Sequence, residues 1–133
     1  MGQFAFGQPV TRTEDPRLLM GRGNYVSDVN LHRQTHGFVL RSPHANAKII
    51  SIDTSTAENL PGVITILTGS DIQADGLGTT KVTQPHKRPD GSPLYSVPHP
   101  GLVLDQVRYV GDYIAFIVAE TVSQARDAAE MIT

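Results

Sequence analysis

The chain has 133 residues, 11 Lys and Arg against 13 Asp and Glu, and a net charge of −2 at neutral pH; 39% of it is apolar and 18% charged. That is the balance of one ordinary globular domain able to bury a core, and it offers no basic cluster for nucleic acid. With no Cys, the chain holds neither a disulfide framework nor a thiolate zinc or iron–sulfur site, and with no leader pattern and no membrane-length apolar run its expected location is cytoplasmic.

Residues 1–33 read as an irregular arm. Pro9, Pro16, Gly21 and Gly23 punctuate them, and no helical or strand period persists. From 34 to 133 the pattern becomes that of a folded domain. "HGFVLRS" (36–42) suits a strand, and the Pro43 turn ends it. "KIISIDT" (48–54) alternates as a strand does. Residues 55–62 suit a short helix, capped by Ser55 or Thr54 and stopped by Pro61-Gly62. "GVITILTG" (62–69) is a β-rich apolar run.

Residues 70–101 read as a long loop rich in Pro and Gly, of the kind that is functional or docked on a neighbour. "VRYVG" (107–111) is a short strand or turn. "DYIAFIVAE" (112–120) is apolar almost throughout, as a strand buried on both faces would be. The last segment is a helix, with Thr121 and Gln124 as a capping box. Its apolar stripe is Val122, Ala125, Ala128, Ala129 and Ile132. The stripe is still in phase at Ile132 with no stop signal, so the chain reads as cut from something longer. The expected class is α+β (mixed α/β), a mixed sheet with two helices.

No constellation for catalysis stands out. Gly21-Arg22-Gly23 lacks the third Gly and the flanking strand and helix of a dinucleotide fingerprint. His32 and His36 are four apart, but Gly37 and the β-rich run after it argue against the helix that would aim both at a metal. The Asp residues sit at turns and strand ends, where carboxylates bond local backbone N–H groups. Ser42 has no nucleophile-elbow context. These residues therefore give no catalytic, cofactor-binding or metal-binding assignment.

Three ordered stretches, "EDPRLLMGRGNYVSDV", "HGFVLRSPHANAKIISIDTSTAENLPGVITILTGSDI" and "VRYVGDYIAFIVAETVSQARDAAEMI", are together similar to one family. They resemble the N-terminal α/β hammerhead domain of the molybdenum-binding large subunit in the xanthine dehydrogenase and aldehyde oxidase family, in the flavour of the carbon monoxide dehydrogenase large subunit. "R-S-P-H-A-x-A" and "V-R-Y-V-G" followed by "V-A-E-T" carry it in combination; residues 73–100 are the main unmatched stretch.

The resemblance implies a much longer subunit that binds a molybdenum–pterin cofactor, often molybdopterin cytosine dinucleotide. It implies hydroxylation of aldehydes, N-heterocycles or carbon monoxide with oxygen from water, and iron–sulfur and FAD partners that take the electrons. The family's cofactor contacts and catalytic Glu have no counterpart in this chain, which alone is expected to be inactive. Arg17, Arg22, Tyr25, Arg41 and His44 are the implied inter-domain contacts. Against the family's smaller residues, Tyr113 and Phe116 imply local repacking. A second reading stays open, a stand-alone binding or scaffold module with the same fold.

Overall fold

A computed structural model describes residues 11–80, 86–95 and 99–133. Pro9 of the arm, and Pro85 and Pro98 of the 70–101 stretch, lie outside the described residues. The chain divides into two compact units, residues 1–34 and 35–133.

In the first unit, Asp15–Leu19 form a short helix, α1, with Pro16 in its first turn. Pro is tolerated there because its missing N–H has no helical partner to lose. Gly21 ends the helix at φ 68°, with Gly21 N–H donating to the Leu18 carbonyl and Arg22 N–H to that of Arg17, both at 3.0 Å. This pair of bonds is a Schellman cap, so the glycine serves a helix end and not a phosphate loop. A 3-10 turn follows at Val26–Asp28, where Tyr25 N–H donates to the Asp28 carboxylate at 2.9 Å. The arm is thus more ordered locally than its punctuation suggests, yet neither turn buries a residue.

The second unit is built around three antiparallel strands. The elements in chain order are β1 (His36–Arg41), β2 (Ala47–Lys48), α2 (Ser55–Glu58), β3 (Val63–Thr68), α3 (Gly69–Ala74), β4 (Thr79–Thr80), β5 (His99–Pro100), β6 (Gln106–Val107), β7 (Tyr113–Ala119) and α4 (Val122–Glu130). β7 lies at the centre, with β1 on one side and β3 on the other; β2 pairs with β6 and β4 with β5. Every pairing between these strands is antiparallel, so the sheet is not mixed. The α+β class itself stands.

Ala115, Ile117 and Ala119 of β7 pack against Ala125, Ala128 and Ala129 of α4, joined by Ile66 and Ala57. The facing alanines let helix and sheet approach closely, and Ile117 fills the space they leave. Val122 is 43% exposed, so the buried stripe of α4 begins at Ala125, one turn later than its period suggests. Thr121 caps α4 by accepting from Gln124 N–H at 3.2 Å; the Gln124 side chain bonds the Thr121 hydroxyl rather than closing a reciprocal box.

Three further differences have local causes. The strand expected over 48–54 is regular only at Ala47–Lys48, because β6 is two residues long and Ile49 N–H to the Asp105 carbonyl ends the ladder. The stretch expected as loop from 70 onward begins with α3, because the Asp71 carboxylate accepts from both the Thr68 N–H and hydroxyl at 2.7 Å and so starts a helix. Phe116, larger than expected, lies over Gly37, where a Cβ would fall 2.4 Å from the ring.

Candidate functional site

Among the described residues of the second unit, sequence stretches far apart are tied together through buried polar groups around Asp112. Its side chain is 4% exposed. Its carboxylate accepts from Arg108 N–H at 3.0 Å and from Tyr113 N–H at 3.2 Å, folding residues 108–112 into a turn that feeds β7. Gly111 takes φ 92° at the tip, in the left-handed region that favours glycine.

This turn is locked to the end of β1. Ser42 N–H donates to the Asp112 carbonyl and Gly111 N–H to the Ser42 carbonyl, both at 2.8 Å. Ser42 is buried as well; its hydroxyl donates to the His44 carbonyl at 3.1 Å and accepts from His44 N–H at 3.0 Å. The Arg41 guanidinium donates to the Gly111 carbonyl at 3.3 Å and stacks 4.4 Å above the Tyr113 ring. The ring of His99 stacks on Tyr109 at 6.1 Å. Desolvation first, and then the nearby Asp112 carboxylate, raise the Tyr109 phenol above its usual range.

The arrangement is a clamp: the Ser42 hydroxyl bonds backbone and faces no imidazole, and the Asp112 carboxylate holds two amides with the Tyr109 phenol nearby. Among the described residues no buried side-chain N or O lacks a hydrogen-bond partner, and no three His, Asp or Glu converge as metal ligands would. A hollow beside α3, about 340 Å³, is walled by Ile72, Leu102, Leu104 and Pro100 with Gln73 and Thr79 as its polar side chains, and carries no charge to meet phosphates. That hollow therefore does not fit a molybdenum–pterin group.

Of the contacts implied by the resemblance, Arg41 belongs to the clamp, and His44 meets it through its backbone while its side chain stays exposed. Arg17, Arg22 and Tyr25 lie in the first unit, all exposed. Sequence reasoning missed Asp112, Arg108, Tyr109 and His99. The available signal was an acidic residue directly after a glycine at the entry of a wholly apolar strand.

The family model described as "Aldehyde oxidase and xanthine dehydrogenase, a/b hammerhead domain" matches residues 20–133. The nicotine 6-hydroxylase large subunit of Paenarthrobacter nicotinovorans is 40% identical over 126 residues, 95% of this chain and 15% of that protein. The carbon monoxide dehydrogenase large chain of Afipia carboxidovorans is 38% identical over 121 residues, 91% of this chain and 14% of that one. The crystal structure of quinoline 2-oxidoreductase from Pseudomonas putida 86 superposes with a TM-score of 0.80 at 37% identity, covering 93% of this chain and 15% of that one. The chain thus spans about 15% of the length of the relatives it matches.

Proposed function

The chain belongs to the aldehyde oxidase and xanthine dehydrogenase family, of which it carries the a/b hammerhead domain, and from this we propose that it is a structural part of the large subunit of a molybdenum hydroxylase. The subunit would oxidise an N-heterocycle, an aldehyde or carbon monoxide with water as the oxygen source. The observation that carries the reading is the match over residues 20–133, with the Asp112 clamp joining the two stretches that bear the resemblance.

The chain's own contribution is geometric. The clamp fixes where β1 and β7 meet, and the surrounding surface, with Arg41 and His44, faces neighbouring domains. The arm supplies Arg17, Arg22 and Tyr25 as further contacts; Tyr25 is 62% and Val26 93% exposed, apolar surface that a neighbour would cover. The cofactor, as molybdopterin cytosine dinucleotide, would sit in the rest of the subunit. Iron–sulfur and FAD partners would take the electrons, and the complex would be cytoplasmic. No helix of the described residues is long and apolar enough to cross a membrane.

The test is expression of the full-length subunit with its partners, followed by molybdenum analysis and dye reduction with quinoline-type heterocycles, aldehydes and carbon monoxide. Bound molybdenum with turnover of one of these classes is the expected result. A full-length subunit that takes up no molybdenum would refute the reading and favour the stand-alone scaffold.

A further inference from the structure

β1 is an outer strand of the three-stranded sheet, with β7 as its one neighbour among the described residues. Alternate residues of His36–Arg41 therefore turn N–H and C=O groups away from the sheet. Such an edge is a template for another strand unless it is blunted, and no Pro, Lys or bulge interrupts it before Leu40.

Beside this edge, between β1 and α4, runs a groove of about 440 Å³. Phe38, Leu40 and Ala129 give it an apolar wall. Arg41 and Arg126 stand at it, Arg126 with its guanidinium 5.9 Å from the Phe38 ring centroid. Glu130 is the one carboxylate of the lining, and among the described residues neither arginine has an ion-pair partner. The groove thus offers apolar depth with a surplus of positive charge.

We propose that the open edge of β1 receives an extended segment from the remaining part of the same subunit polypeptide. That segment adds a strand outside β1, lays an apolar side chain in the groove, and sets a carboxylate two residues away against Arg41 or Arg126. Strand addition recognises backbone through the edge and reads alternate side chains through pockets. Here the pockets select one apolar and one acidic residue. A second copy paired groove to groove through the same edge would set two more guanidiniums there with Glu130 as the one carboxylate of its lining, a poor match. The proposal rests on the reading that this chain is part of a longer subunit, most of which lies outside it.

The experiment uses the full-length subunit carrying Arg41→Lys and Arg126→Lys. A water-soluble carbodiimide joins an amine to a neighbouring carboxylate as an amide, the lost water converting the reagent to its urea. Peptide mass spectrometry then identifies the partner, with Lys48 and Lys87 as internal reporters of reagent activity. The expected result is a cross-link from position 41 or 126 to an Asp or Glu of the same polypeptide outside residues 1–133. Slowed exchange of the outward amides of His36–Arg41, by at least about tenfold over an unstructured peptide, should accompany it. Cross-links confined to Glu130, to a second copy or to another subunit would overturn the proposal, as would unprotected outward amides. A molybdenum-loaded subunit with none of these features would sink this inference alone; a subunit without molybdenum but with the cross-link would sink only the functional reading.

Discussion

Replacing Asp112 by Ala tests whether the clamp organises the domain. The substitution removes the acceptor for two backbone amides, those of Arg108 at 3.0 Å and Tyr113 at 3.2 Å, in a side chain that is 4% exposed. A hydrogen bond to a charged acceptor contributes about 1.5–3 kcal/mol, and a buried donor left without a partner costs about 1–3 kcal/mol. Arg108 is exposed, so water can reach its amide once the carboxylate is gone; Tyr113 sits at the start of β7. The expected loss is therefore about 2–4 kcal/mol, below the simple sum for two such bonds. For a chain of this size that lowers the melting temperature by roughly 10 °C. Asp112→Asn should fall between the two, because its amide keeps one acceptor and turns a donor toward the other N–H. Urea unfolding of the parent, the two variants and the surface control Asp105→Ala gives the measurement. Asp112→Ala within about 0.5 kcal/mol of the control would refute the clamp as a structural determinant.

The glycines separate backbone strain from crowding. Gly62 (φ 81°) would place a Cβ 2.2 Å from the Gln124 amide, whereas Gly21 (φ 68°) has open space around it. Each Gly→Ala change should cost about 1 kcal/mol for the left-handed φ, because the Gln124 amide ends a flexible side chain that can turn aside, and a Gly62→Ala loss well above that of Gly21→Ala by urea unfolding would show that Gln124 is held in place. Ala128→Leu would force three extra carbons between α4 and β7, where Ala128 has no exposed surface, and should cost about 1–3 kcal/mol or more; a neutral result would mean that the helix can shift. The Thr68 hydroxyl, and after it the Thr68 N–H, hold the Asp71 carboxyl below its ordinary 3.8. A depressed folded pKa adds stability that is present above the unfolded value and is lost as pH falls through the folded one. The gap between parent and Asp71→Asn should therefore be full at neutral pH and close as pH drops below about 4, and a pH-independent gap would contradict the capping role.

Where one physical signal dominated, the sequence was easy to read. β7 announces itself by an apolar run too short for a helix and bounded by Gly111 and Glu120, and α4 by alanines at helical spacing. The stretch 49–53 misled because alternation reports only the preference for a pleated surface, while a ladder also needs a partner, and β6 supplies two residues. α3 was hidden for the opposite reason: "TGSD" has the composition of a turn, and the same Thr68–Asp71 bonds that could close a turn here open a helix. Of the clamp, the halves were visible as the "RSPHA" turn and the "VRYVGD" strand entry. Their union was not, because Ser42 and Asp112 meet through backbone carbonyls and amides, which every residue possesses and no sequence pattern marks.

The distribution of polar groups is that of a docking element, as the proposed function requires. A group that reacts or binds must keep an unspent donor, acceptor or charge in a place shielded from water. Among the described residues the two buried polar ones, Ser42 and Asp112, spend their hydrogen bonds on backbone, which fixes shape. Arg41 and Arg126, the cations beside the open edge of β1, stay at the surface, stacked on rings that hold their direction while their charge remains available. A rigid interior with oriented but unneutralised charges at its rim is what a docking element requires. That division of labour agrees with the proposed place of the domain within a longer subunit.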